Sequence, residues 1–163
     1  MIQAEHICKY YTNHNHTVHA VDDVSFTVAE HERVGIAGGS GSGKSTLLRL
    51  MAMLEKTTSG TLRLFGEDIS QIQNHTEIYR SLQMMFQNPL AVIPPRMNLE
   101  SFLLEPYINY GLMDMAEAKD DIRKWIRHVD LPETIIQKYP HEVSGGQLQR
   151  VVLARIMLMK PKV

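Results

Sequence analysis

Apolar and polar residues alternate along the first part of the chain, then give way to apolar residues spaced three or four apart. Val24, Phe26 and Val28 take every second place in Val21–Val28, which predicts a half-buried strand. Thr61-Leu62-Arg63-Leu64-Phe65 repeats the alternation and stops at Gly66, a turn residue. Glu5–Tyr11 is also strand-like, and Thr12–Thr17 reads as an exposed loop between strands. Two short apolar runs, Arg33-Val34-Gly35-Ile36-Ala37 and Leu82–Phe86, suit buried strands. Leu47–Leu54 is a run of good helix formers.

Beyond Gln87 the helical spacing takes over. Asn88-Pro89 and Pro94-Pro95 mark a loop, and Leu99–Tyr110 predicts one helix. Asp114 followed by Glu117 is an N-terminal capping signal. The helix it opens carries Ala118, Ile122, Trp125, Ile126 and Val129 on one face. Asp120, Asp121, Lys124 and Arg127 fall on the other, a solvated face, and Trp125 reads as core. Pro132–Tyr139 suits a short helix stopped by Pro140.

Composition narrows the class. At 163 residues the expectation is one domain. With 44% hydrophobic and 21% charged residues the chain can bury a core. A net charge of −1 gives no general case for binding nucleic acid or an anionic membrane. No apolar stretch reaches transmembrane length, and Met1–Tyr11 lacks the apolar run of a signal peptide. The one cysteine, Cys8, reads as structural and fits a reducing compartment.

Candidate chemistry concentrates in Gly38–Thr46, GGSGSGKST. It fits G-x-x-x-x-G-K-[ST] between an apolar run and a helical run. Gly38, Gly39, Gly41 and Gly43 let backbone approach phosphate oxygens without Cβ clashes, with Ser40 and Ser42 between them. The following helix N-terminus adds partial positive charge. Lys44 suits the β- and γ-phosphates as a point charge, and the Ser45 hydroxyl suits Mg²⁺. A second glycine pair lies in Val143-Ser144-Gly145-Gly146-Gln147, before the helical run Leu148–Met159. Ser144 and Gln147 have capping-box spacing. Two poor helix formers behind a cap suit a backbone that must come close to something such as an anion, but taken alone the motif is more often an ordinary cap.

Together the two motifs are specific. The chain resembles the ATP-binding subunit of an ABC transporter. Gly38–Thr46 matches that family's Walker A, and Val143–Gln147 its LSGGQ signature with Val for Leu. Gln87, after Met84-Met85-Phe86, matches the Q-loop. Tyr11 matches the aromatic that stacks on adenine, with Tyr10 a close competitor. Phe86-Gln87-Asn88-Pro89, Pro95-Arg96-Met97 and Tyr139–Arg150 look like the dipeptide, oligopeptide and nickel importers. His31, Thr57 and Asn88 depart from the usual Gly, Pro and Asp, none of them at a phosphate ligand.

The resemblance implies an α/β P-loop fold with an N-terminal antiparallel β subdomain, a helical subdomain and an incomplete sheet. Residues 1–86 would be the β-rich P-loop core, 87–143 the Q-loop and helical subdomain, and 144–159 the signature helix of one nucleotide-binding domain. It implies ATP and Mg²⁺, with Ser45 and Gln87 as metal ligands. Ser144, Gly145, Gly146 and Gln147 would serve a partner's nucleotide in a head-to-tail dimer. Two membrane permease subunits would be further partners, nucleic acid would not, and the place would be the cytoplasmic face of the membrane. The transported class would be a peptide, nickel or a metal chelate.

The family pattern continues beyond Pro161-Lys162 with a strand ending in Asp-Glu, and here the sequence ends at Val163. The resemblance therefore implies a chain truncated before Walker B, with no catalytic residue of its own and no ATP turnover alone. A non-catalytic partner that lends its signature to an intact homologue is the alternative. His14, His16 and His19 tempt a metal reading, but a solvated polar loop explains them more simply.

Overall fold

Strands β1 (Ile2–Asn13) and β2 (His16–Val28) form a long antiparallel hairpin. In this computed structural model the described residues are 1–14 and 16–163. They form two units, Met1–His75 and Thr76–Val163, each with its own architecture.

In the first unit, β3 (Ser59–Leu64) and β4 (Glu67–Asp68) complete a sheet of order β2-β1-β3-β4, antiparallel throughout. The alternation in β2 is the expected one: Val24, Phe26 and Val28 are half-buried while Ser25 and Thr27 are exposed. The loop expected at Thr12–Thr17 is instead mostly hairpin. Thr12 pairs with Thr17 and Asn13 with His16, and Asn15 lies outside the described residues. The turn at Gly66 is there: Phe65 and Gly66, with φ of 54° and 91°, join Leu64 to its partner Glu67. Positive φ at both central positions is what a two-residue type I′ connection requires. Ile2, Ile7, Val21, Leu50, Leu62 and Leu64 are buried in this unit.

Helix α1 (Lys44–Met51) starts three residues before the expected run and ends in a tight reversal. Leu54 N–H reaches Arg49 C=O at 2.9 Å, Met53 N–H reaches Leu50 C=O at 3.0 Å, and Met53 has φ of 55°. This is the Schellman pattern of C-terminal bonds, with methionine where glycine is usual. The strand expected at Arg33–Ala37 does not form. Val34 and Ile36 are exposed in irregular chain, and the sheet of this unit has no strand paired to them. A buried parallel strand needs neighbours for its backbone and both its faces, and an apolar run alone cannot supply them.

The second unit is helical: α2 (Thr76–Ser81), α3 (Leu99–Tyr110), α4 (Met115–His128) and α5 (Gly145–Leu158), with three short 3₁₀ turns. Helix α3 has the predicted bounds. Asn98 caps it by accepting from Ser101 N–H at 2.8 Å, and Gly111 (φ 58°) ends it. Asp114 caps α4 through Ala116 and Glu117 N–H, both at 2.9 Å. Ala118, Ile122 and Ile126 of α4 are buried, with Trp125 packed against the same core. That core runs through Phe102 and Leu103 of α3 and Leu148, Val151 and Val152 of α5. The Pro132–Tyr139 segment forms a 3₁₀ turn at Glu133–Gln137 rather than an α-helix.

Two backbone details organise this unit. Pro106 stands inside α3 and has no N–H, so the carbonyl four residues back, Phe102, loses its helical donor. Arg155 of α5 replaces it: its guanidinium donates to Phe102 C=O, lies 4.2 Å from the Phe102 ring centre and pairs with Glu105 at 2.8 Å. The run Leu82–Phe86 is not a strand either, yet it begins as one. Val163 N–H donates to Ser81 C=O at 3.0 Å, and Gln83 N–H donates to Val163 C=O at 2.9 Å. One residue bonded to both neighbours of Leu82 is the slanted pattern of a parallel ladder.

Arg155→Ala is expected to destabilise the fold by about 1–3 kcal/mol, the scale of a lost charged hydrogen bond that leaves an acceptor unpaired. In a Pro106→Ala background, where residue 106 can donate to Phe102 itself, the loss should shrink by at least about 0.5 kcal/mol. Urea denaturation of the four proteins measures the difference. Equal losses in both backgrounds would mean that Arg155 acts through packing alone.

Candidate nucleotide-binding site

The glycine-rich loop is anchored at its end. Gly43 has φ of 84°, and a Cβ there would stand 2.0 Å from the Ala20 carbonyl oxygen of β2. Only glycine lets the loop enter α1 this close to the sheet. A Cβ on Gly39 or Gly41 would meet nothing within 4 Å. Packing inside the unit therefore does not require those two glycines, and the space beside the loop stays open. Ser42 N–H turns back to Gly39 C=O at 3.3 Å.

Lys44 aims its ammonium into the loop. Nζ donates to the Gly38 and Gly39 carbonyls at 2.9 and 2.6 Å, and to Ser42 Oγ at 3.2 Å. The start of α1 has no side-chain cap and no acidic residue in its first turn. Its leading N–H groups and its positive end therefore have no side-chain acceptor of their own. Leu47 N–H, bonded to Gly43 C=O at 2.8 Å, is where the helical ladder begins. Ser40 and Ser45 are exposed, and Thr46 is half-buried.

The two adjacent tyrosines of β1, Tyr10 and Tyr11, differ in surroundings. Tyr10 stacks on His19, with ring centres 4.1 Å apart, and its hydroxyl donates to Asp22 at 2.6 Å. That carboxylate holds the Tyr10 phenol well above its usual range, and the same bond holds Asp22 below the usual carboxylate range. Tyr11 is 41% exposed, and its hydroxyl donates to Glu55. Glu55 pushes the Tyr11 phenol up, while the Thr46 hydroxyl, at the start of α1, pulls it down. The hairpin changes register between Lys9 and Tyr10, and Tyr11 pairs with Val18. Sequence reasoning found both tyrosines but neither carboxylate. Asp22 and Glu55 sit 12 and 44 residues from their partners, and no local pattern marks them.

Among the second unit's candidates, Gln87 is exposed at the end of the extended run. Asn88 then caps a 3₁₀ turn by accepting from Leu90 N–H at 3.1 Å. The glycine pair starts α5 with the predicted capping box. Gln147 N–H donates to Ser144 Oγ at 3.3 Å, and Ser144 N–H donates to Gln147 Oε1 at 2.9 Å. A Cβ on Gly145 or Gly146 would meet nothing within 4 Å. Their small size is not demanded by contacts in this chain. Among the described residues no group of three or more His, Cys, Asp or Glu is placed to hold a metal ion. His19 instead stacks on Tyr10. Buried Cys8 accepts from Asp23 N–H at 3.3 Å, a structural setting.

An α/β chain whose glycine-rich loop opens a helix in this way is a P-loop nucleotide-binding protein by fold. It belongs to the ABC transporter family, whose model, described as "ABC transporter", matches residues 21–163. The chain is 36% identical over 148 residues to the di/tripeptide transport ATP-binding protein DppF of Pseudomonas aeruginosa, covering 90% of this chain and 46% of that protein. It is 38% identical over 148 residues to the oligopeptide transport ATP-binding protein AppF of Bacillus subtilis, covering 89% of this chain and 45% of that protein. The chain thus spans about half the length of the curated relatives it matches. Its fold matches the bacterial ABC transporter cassette MJ0796, solved as a dimer, with a TM-score of 0.89 and 28% identity over 99% of this chain and 71% of that one. The same cassette, solved as a dimer with ADP and Pi in a post-hydrolysis state, matches with a TM-score of 0.88.

Replacing Gly43 by Ala should destabilise the fold, since both its φ and the Ala20 carbonyl exclude a Cβ. Gly146→Ala should instead stabilise it, by about 0.5 kcal/mol from helix propensity, and Ser144→Ala should cost about 1 kcal/mol as a lost cap. Thermal unfolding of the three variants tests this. A loss of stability in Gly146→Ala would show that this glycine answers to packing.

Proposed function

We propose that this chain is the ATP-binding part of an ABC importer for peptides. The observation that carries the reading is the start of α1: an open glycine loop, a lysine aimed into it and a helix end with no cap of its own. These groups fit a nucleoside triphosphate. The loop amides and the helix end would receive phosphate oxygens, and Lys44 would exchange its loop carbonyls for the β- and γ-phosphates. Mg²⁺, when bound, neutralises charge between those phosphates. Ser45, exposed in the first turn, is the hydroxyl that would be available to it. Tyr11 would stack on adenine. Its ring is exposed near Thr46, whereas the Tyr10 ring already stacks on His19.

The capped, glycine-rich start of α5 would serve the γ-phosphate held by a second cassette. The support is its open space and the dimeric arrangement of the MJ0796 cassette. Peptide is the favoured cargo because the relatives are named for di/tripeptide and oligopeptide transport. No helix among the described residues is long and apolar enough to cross a membrane. By resemblance to the importers, passage would fall to two permease subunits, with this chain on their cytoplasmic side.

Calorimetric titration with ATP tests the reading. Lys44→Ala should weaken binding by about 1.5–3 kcal/mol, the scale of hydrogen bonds to a charged group. Tyr11→Ala should weaken it by roughly 0.5–1.5 kcal/mol, and Tyr10→Ala should leave it unchanged. Equal affinity in wild type and Lys44→Ala would overturn the assignment. A larger loss in Tyr10→Ala than in Tyr11→Ala would move the adenine contact to the other tyrosine.

A further inference from the structure

We propose that Glu55 is a positioning residue for the nucleotide base, acting through Tyr11; this rests on the nucleotide-binding reading above. Glu55 follows the Schellman reversal that ends α1, so the chain turns back toward β1 just where the carboxylate emerges. Its side chain is only 22% exposed and is held from three directions. Oε2 accepts from the Tyr11 hydroxyl and lies 3.8 Å from Lys9 Nζ, while Oε1 lies 3.6 Å from Arg49 Nη1. Lys9 is fixed in turn by its bond to Lys56 C=O at 2.8 Å.

Tyr11 therefore does not hang free from the edge of the hairpin. Its hydroxyl is tied to Glu55, and the Lys9 ammonium lies over its ring, 5.1 Å from the centre. With a cation on one face, the other is left to a planar ligand. An exposed aromatic ring has rotamers to lose on binding, and a ring already tethered loses fewer. Glu55 touches no ligand in this scheme. It sets the ring in place beforehand, and the same residue links the ring to α1 through Arg49, one turn beyond Lys44 and Ser45.

The test uses the whole chain and two probes, ATP and inorganic tripolyphosphate, which carries the phosphates but no base. Glu55→Ala should weaken ATP by roughly three- to tenfold and leave tripolyphosphate affinity unchanged. Glu55→Gln, which keeps an acceptor oxygen for the Tyr11 hydroxyl, should restore most of the loss. Tyr11→Phe should match Glu55→Ala, and the double variant should be no worse than either, because both delete one bond. ATP binding in Glu55→Ala equal to wild type would overturn the proposal. So would an equal loss for both probes, which would place the effect in the phosphate loop or the fold. If wild type itself fails to bind ATP, the nucleotide-binding reading falls and this proposal with it; if wild type binds and only the Glu55 pattern fails, that reading stands.

Discussion

A buried backbone N–H or C=O without a partner costs about 1–3 kcal/mol, and how this chain meets that constraint explains most of its architecture. Helices expose unpaired donors at one end and unpaired acceptors at the other. Here side chains answer part of that need at several helix starts. Asn98, Asp114 and Ser144 cap the three long helices of the second unit, and Asn88 caps a 3₁₀ turn. Where proline removes a donor in mid-helix, the freed Phe102 carbonyl takes a guanidinium from α5 instead. That replacement joins α3 to the helix carrying the second glycine motif.

The start of α1 differs from these. Its first residues follow four glycines within six positions, with neither a cap nor a carboxylate nearby in sequence. Gly43 is tied to the sheet by its close approach to Ala20, so the loop is held at that end while its outer glycines face open space. The three long helices of the second unit carry side-chain caps, and this one does not. Helix α5 is different in kind: its glycines face open space, and a complete capping box bonds the Ser144 and Gln147 amides. The first start has no side-chain cap, and the second carries its own.

The pair Tyr10 and Tyr11 shows how tertiary context separates neighbours that look alike in sequence. Both are aromatic, adjacent and on one strand. A register change in the hairpin sets Tyr10 against His19 and Asp22 and leaves Tyr11 near the start of α1, bonded to Glu55. The carboxylates that make this difference come from distant points of the chain. One lies across the hairpin, and the other lies beyond a helix reversal built on Met53 rather than on a glycine.

Local rules were enough for much of this protein. Helix α3, the caps at Asp114 and Ser144, the buried stripe of α4 and the glycine loop before α1 were all legible, because each depends on residues within one or two turns. Strand pairing was not, because a strand is made by its partners. Thr12–Thr17 looked like a loop and became hairpin once the two strands were in register. Val34 and Ile36 looked like a buried strand and lie exposed, since no strand in their unit pairs with them. Leu82–Phe86 had the composition of a strand and shows only one ladder contact, through Val163. The glycine-rich loop and Lys44 could be read directly from the sequence. Which carboxylate holds each tyrosine only the folded chain decides, because those contacts join residues 12 and 44 positions apart.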